Sequence, residues 1–193
     1  MIAVLCSGGM DSTVLAHMAH DRSELAGLVF ADYGQPAMVQ EARASGDLAL
    51  RLGVPWVLLR VPMADVSGMA IGTGAPGPRV IGGRNLILLA HAVGICQARG
   101  WSELWWGACK DDWADYPDCR LPFMGAIQDA ATAYGVRVLA PLIEDRAAEI
   151  RAYGDRLGVD WSGVWSCYEP DGDRQCGRCN SCARLHGQRP PTA

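Results

Sequence analysis

The stretch Ile2-Ala3-Val4-Leu5-Cys6-Ser7-Gly8-Gly9-Met10-Asp11-Ser12-Thr13, running on into Val14-Leu15-Ala16-His17-Met18, decides the fold. Its first four residues are apolar, β-competent and polar on neither face, which predicts a short buried strand. Asp11 or Ser12 makes a good N-cap for the helix that follows, so the residues between form a strand-to-helix turn. Gly8 and Gly9 permit a tight turn and close approach of a ligand to the backbone, and the free N–H groups of a helix start favour an anion. This predicts a phosphate site. It is not the P-loop, because no Gly-Lys-Ser/Thr follows and the only lysine is Lys110. A glycine-rich turn without a ligand is the bland alternative, and the position between strand and helix argues against it.

Outward from this turn, strands and helices alternate. After a helix ending near Asp21, residues 25–31 read as a second strand, closed by Asp32-Tyr33-Gly34-Gln35. Pro36 suits a helix's first turn, and residues 38–52 mix small apolar residues with Glu41, Arg43, Asp47 and Arg51 before Gly53. A third strand covers 54–61. Residues 62–83 carry Gly72, Gly74, Pro76, Gly77 and Pro78, which no helix or strand accepts. They form a linker or, as a long loop in a compact domain, a lid or binding segment. Arg84 and Asn85 open a helix over 86–99 that is apolar around most of its circumference, hence buried. Further elements are a strand at 104–106, a helix at 121–134, a strand at 136–139 and a helix at 145–157. The pattern predicts an α/β, Rossmann-like fold with a five-stranded parallel sheet, whose ligands bind at the carboxyl ends of the strands. Both the Ser7 turn and residues 32–35 lie there. So do Asp111, Asp112, Asp115 and Asp118, four carboxylates after the fourth strand. A solvated turn accounts for one or two of them; Mg²⁺ or substrate accounts better for the cluster.

The chain has 193 residues, half of them hydrophobic, and a net charge of −4. That length suits one domain with a substantial core, divided into a phosphate-binding α/β part over 1–160 and a small cysteine-rich segment over 161–193 packed on it. No apolar run approaches the roughly 20 residues that cross a bilayer, and the N-terminus has no signal-peptide pattern, which predicts a cytoplasmic protein with no membrane partner. The negative charge and scattered basic residues argue against nucleic acid. Of eight cysteines, Cys167, Cys176, Cys179 and Cys182 crowd near the end of the chain. Two Cys-x2-Cys steps match tetrahedral zinc with a filled sulfur shell, and so a structural role. An iron–sulfur cluster, a redox pair or disulfides remain open alternatives. Cys6, Cys96 and Cys109 read as small core or near-site residues.

The wording Ser7-Gly8-Gly9-x-Asp11-Ser12 resembles the pyrophosphate loop of ATP pyrophosphatases of the adenine-nucleotide α-hydrolase-like superfamily. With Asp32-Tyr33-Gly34-Gln35, Gly83-Arg84-Asn85, Tyr116-Pro117-Asp118-Cys119-Arg120, Ser166-Cys167-Tyr168 and the Cys176 to Cys182 close, nearly the whole chain resembles the 7-cyano-7-deazaguanine synthases of the queuosine pathway. That resemblance implies an enzyme acting on 7-carboxy-7-deazaguanine, ammonium and ATP, which adenylates the carboxylate, aminates it, then adenylates the amide oxygen and loses AMP to leave the nitrile. It implies that Cys6, Ser7, Gly8, Gly9, Met10, Asp11, Ser12 and Thr13 hold the nucleotide's phosphates with Mg²⁺. Asp32 and Tyr33 would lie near adenosine, and Gln35, Arg84, Asn85, Asp112, Tyr116, Asp118 and Arg120 near the substrate. Asp11, Ser12, Arg84, Asp112 and Arg120 would act in catalysis. Structural zinc and a homodimer follow from the same likeness. Departures from the family pattern are Pro36 for Arg, Gly82 for Pro, Ala147 for Lys with Arg146 adjacent, and Val164 for Thr; the first three are expected near the site. They leave room for a ligase that adenylates the same carboxylate and couples it to another amine, on a protein for example. A noncatalytic nucleotide-binding module would need a degenerate loop, and the loop is intact.

Overall fold

The computed structural model describes residues 1–63 and 81–187. Its strands are β1 (Ile2–Leu5), β2 (Leu25–Asp32), β3 (Trp56–Arg60), β4 (Glu103–Trp106) and β5 (Arg137–Leu139). The helices are α1 (Met10–Asp21), α2 (Met38–Leu52), α3 (Arg84–Arg99), α4 (Leu121–Thr132), α5 (Ala147–Arg156) and α6 (Asn180–Leu185). The sheet runs β3-β2-β1-β4-β5, with every pair parallel. The alternation of β1 explains why it lies centrally. Ile2 and Val4 enter one core with Val14, Leu15 and Ile150, while Ala3 enters the other with Leu89, Leu104 and Val138. Both faces of the sheet are thus covered, as parallel sheets require. Burying a side chain such as Leu15 completely contributes about 1.5–3 kcal/mol.

Chain order reverses at β1, which has β2 on one side and β4 on the other. The crevice beyond the carboxyl ends of β1 and β4 is therefore the topological switch point where such sheets bind ligands. The register Leu5 to Trp106 brings the ends of these strands level.

Three expectations are corrected. The helix α1 starts at Met10, with Gly9 as N-cap and no side-chain cap, so Asp11 and Ser12 lie inside its first turn. The helix α3 is not buried all round: Leu88, Leu89, Ala92, Val93 and Cys96 face the core, while Leu86 is exposed. The strand β3 is shorter than 54–61. Most of the glycine- and proline-rich stretch of 62–83 lies outside the described residues.

Candidate active site

A cavity of about 230 Å³ opens at the switch point. Its floor is the loop after β1. Gly8 has φ +78°, and a Cβ there would stand 2.7 Å from Ala44 Cβ and 2.9 Å from Ser45 N on α2. Only glycine lets the turn press this closely on that helix. The Gly9 N–H donates to Ser7 Oγ (3.3 Å), the Met10 N–H to Ser166 Oγ (3.2 Å), and the Trp165 N–H to the Gly8 carbonyl (2.9 Å). Serine hydroxyls thus occupy two amides that face an anion in the sequence reading. Ser12 Oγ donates to the Gly9 carbonyl at 3.1 Å, and the Cys6 thiol donates to Ser12 Oγ at 3.7 Å.

Asp11, in the first turn of α1, meets Asp112 and Cys109 from the segment after β4, with ligand atoms of all three within 4.8 Å of one another. Gly107 permits this approach, since a Cβ there would stand 3.0 Å from Asp11 Cβ. Asp11 Oδ1 is buried and has no hydrogen-bond partner. Burial first, then the charges of Asp112 and Asp111, push the Asp11 carboxyl up to about 7 against the opposing pull of Arg184. Asp112 gives Oδ1 to Arg184 Nη1 at 2.7 Å and Oδ2 to the Cys109 thiol at 3.4 Å. A buried, orphaned carboxylate oxygen beside a second carboxylate is a fit place for a divalent cation. The acidic cluster divides here. Asp111 turns away to accept the Ala147 N–H (2.9 Å) at the start of α5 and to pair with Arg146 (3.2 Å), and Asp115 is exposed.

The β2 side carries Tyr33, Gln35, Glu41, Arg84 and Asn85. Arg84 lies over the Tyr33 ring, 5.7 Å from its centroid, with Nη1 3.5 Å from the Tyr33 hydroxyl and Nε 3.4 Å from Asn85 Oδ1. Desolvation pushes the Glu41 carboxyl up to about 7, while Gln35 and Arg84 act in the opposite direction.

The C-terminal segment forms the remaining wall, with Trp165, Ser166, Tyr168, Ser181 and Arg184. Behind it the Sγ atoms of Cys167, Cys176, Cys179 and Cys182 lie within 4.8 Å of one another. The Cys176 N–H donates to Cys167 Sγ (3.2 Å) and the Cys182 N–H to Cys179 Sγ (3.5 Å), bonds that suit thiolates. This group would hold a metal.

Residues 1–188 match the family of the queuosine biosynthesis protein QueC. The chain belongs to the QueC family. It is 34% identical to a 7-cyano-7-deazaguanine synthase from Marinobacter nauticus, over 94% of this chain and 88% of that one. The synthases of Rhizobium etli and Brucella ovis are each 35% identical over 93% of this chain, and 83% and 84% of theirs. The relatives are enzymes of the queuosine pathway, as the sequence resemblance implies. Among solved structures, the fold matches the U34-tRNA thiolase NcsA from Methanococcus maripaludis with its [4Fe-4S] cluster. The TM-score is 0.63 and the identity 14%, over 96% of this chain and 70% of that one. It also matches an NMN synthetase from Francisella tularensis, with a TM-score of 0.57 and 16% identity, over 99% and 79%.

Of the residues expected at this QueC-family site, Cys6, Ser7, Gly9, Met10, Asp11, Ser12, Tyr33, Gln35, Arg84, Asn85, Asp112 and Tyr116 line the cavity. Gly8, Thr13, Asp32, Asp118 and Arg120 do not. Gly8 shapes the turn, and Thr13 is buried behind it. Asp32 Oδ1 accepts the Gly34 N–H at 3.1 Å. Arg120 is exposed and spends its fork on the carbonyls of Trp113 (2.7 Å) and Ala114 (3.3 Å). The departures expected near the site also miss the lining. Pro36 and Gly82 are exposed, Ala147 is buried at the start of α5, and Arg146 points to Asp111. No helix among the described residues is long and apolar enough to cross a membrane.

Sequence reasoning missed Glu41, Ser166, Tyr168, Ser181 and Arg184 as site residues. The available signal was position, because Ser166 and Tyr168 flank Cys167, and Arg184 follows Cys182 by two residues.

Proposed function

We propose that the chain makes 7-cyano-7-deazaguanine from 7-carboxy-7-deazaguanine and ammonium, spending ATP twice. In each activation a substrate oxygen attacks the α-phosphorus and pyrophosphate leaves. Ammonia displaces the first AMP to give the amide, and loss of the second AMP with the amide protons gives the nitrile. Residues 1–160 supply the nucleotide site, and the small C-terminal segment closes it through Trp165, Ser166, Tyr168, Ser181 and Arg184.

The observation that carries this reading is the buried, unpartnered Asp11 Oδ1 at the mouth of the Ser7 loop, facing Asp112 across the switch point. Asp11 and Asp112 would hold Mg²⁺, which would neutralise phosphate charge as the α,β bond breaks. The residues' own part is positioning. The Ser7 and Ser166 hydroxyls, which accept from the Gly9 and Met10 amides, would surround the leaving pyrophosphate together with the Ser12 hydroxyl, and Arg84 offers a planar donor to carboxylate or phosphate.

The four cysteines suit zinc. A Zn–S length of about 2.3 Å spaces tetrahedral sulfurs about 3.8 Å apart, in keeping with four Sγ atoms within 4.8 Å. In a cubane each cysteine binds a different iron, and the sulfurs stand further apart. This zinc would have no open position, so its role is to fix the segment carrying Ser166 and Arg184. A cytoplasmic homodimer belongs to the same reading, and sedimentation tests the dimer.

Among the described residues, none of the family departures lines the cavity, so nothing in the site favours another amine over ammonia. The test is incubation with 7-carboxy-7-deazaguanine, Mg-ATP and ammonium, with products identified by mass. Nitrile is expected. Amide alone removes the second activation, and an adenylate that ammonium does not discharge points to a different acceptor.

A further inference from the structure

Glu41 stands on the first turn of α2 and lines the β2 side of the cavity, yet the chemistry above gives it no task. Its carboxylate accepts one hydrogen bond, from Gln35 Nε2 at 2.9 Å. Gln35 is itself fixed by backbone: Nε2 also donates to the Ala31 carbonyl, and Oε1 accepts the Tyr33 N–H, both at 3.0 Å. The amide therefore presents its NH₂ end to Glu41 in a set orientation. Arg84, whose field reaches Glu41, spends its hydrogen bonds on Tyr33 and Asn85 instead. A carboxylate has about four acceptor sites, and those that Gln35 leaves open belong to a side chain that lines the cavity.

We propose that Glu41 recognises the amino-pyrimidinone edge of the substrate, its oxygens accepting the ring N–H and the exocyclic amino N–H. This rests on the deazaguanine reading above. Two rings share the cavity in that reading, and their donor patterns decide between them. The pyrimidinone edge presents two parallel donors, which match the two oxygens of a carboxylate. Adenine's corresponding edge presents one donor beside one acceptor, and that acceptor would face a carboxylate oxygen.

The test compares wild type with Glu41→Gln on 7-carboxy-7-deazaguanine and on its analogue lacking the exocyclic amino group, read as pyrophosphate release with Mg-ATP. Wild type should lose roughly a hundredfold in kcat/KM on the analogue. The variant should lose a similar factor on the full substrate, through its KM, and little more on the analogue, with the KM for ATP unchanged. Glu41→Asp, which keeps the charge, should recover part of the loss, and the melting temperatures of both variants show that they fold. A change confined to the KM for ATP assigns Glu41 to the adenine ring and overturns the proposal. Equal losses on the analogue in wild type and Glu41→Gln overturn it too. If wild type fails to turn over the full substrate, the functional reading falls first and takes this one with it.

Discussion

Arg184 Nη1 lies 2.7 Å from Asp112 Oδ1, and this one ion pair joins the cysteine-rich end of the chain to the carboxylates of the cavity. Arg184 sits on α6, which begins beside Cys179 and contains Cys182, while Asp112 faces Asp11. With its partner gone, Asp112 would stand uncompensated beside a second carboxylate. Arg184→Ala should therefore cost about 1–3 kcal/mol, a melting temperature lower by roughly 3–10 °C. Pyrophosphate release per folded molecule should fall about tenfold or more, which is a barrier higher by about 1.4 kcal/mol. Arg184→Lys should recover stability better than rate, since a point charge cannot hold both Asp112 and the Asp111 carbonyl in one plane. Equal rates in wild type and Arg184→Ala would show the pair to be ornamental.

Asp11→Asn and Ser12→Ala should keep the fold and lower ATP-dependent pyrophosphate release by roughly a hundredfold. The Asn variant should melt no lower than wild type, because the orphaned Oδ1 beside Asp112 contributes nothing to the folded state on its own. Calorimetry and a pyrophosphate assay on the same preparation check both halves. Undiminished release in both variants would remove the loop from the reaction.

Glu41 gives the stability a pH dependence of known sign. Its folded pKa is raised to about 7 from 4.5, so the folded state holds a proton that the unfolded chain releases between those values. Stability conferred by the protonated form is complete below pH 4.5 and is lost as pH rises towards 7. Glu41→Gln carries no such proton. Denaturant titrations without ligand should find the two proteins alike near pH 4.5 and the variant more stable above pH 7, by on the order of 1–3 kcal/mol. A difference that stayed flat across that range would mean Glu41 is ionised in the folded protein.

The loop after β1 was legible because everything that specifies it is local: an apolar run, two glycines and a helix onset within twelve residues. The cysteine site was legible for the same reason. Arg184 was not, since its partner is 72 residues away and only the fold brings them together. Glu41 reads in sequence as one more charge among the small apolar residues of 38–52, and its task appears only when Gln35 is seen turned towards it. The clustered aspartates misled in the opposite direction. Proximity in sequence suggested a common ligand, but Asp111 serves the backbone at the start of α5 and Asp112 serves the cavity. For α3, an apolar composition overstated burial, because one face suffices to cover the sheet and Leu86 is left outside.

The cysteine cluster separates a structural metal from a catalytic one. A metal held by four sulfurs has no vacant position for water or substrate, so its binding free energy goes into holding the segment in place. That segment reaches the site through the Ser166 bond to the Met10 N–H, the Trp165 bond to Gly8 and the Arg184 pair with Asp112. Cys176→Ser and Cys182→Ser should each lose the metal and melt lower, and the surviving folded protein should lose activity through these three contacts rather than through the metal itself. Cys119, buried near Asn85, is not in the cluster, so Cys119→Ser should keep one metal per chain. Metal analysis by mass spectrometry identifies zinc or iron directly. One zinc in wild type and in Cys119→Ser, with none in the other two, is the required pattern. A Cys182→Ser protein that kept both its zinc and its melting temperature would overturn the four-cysteine site.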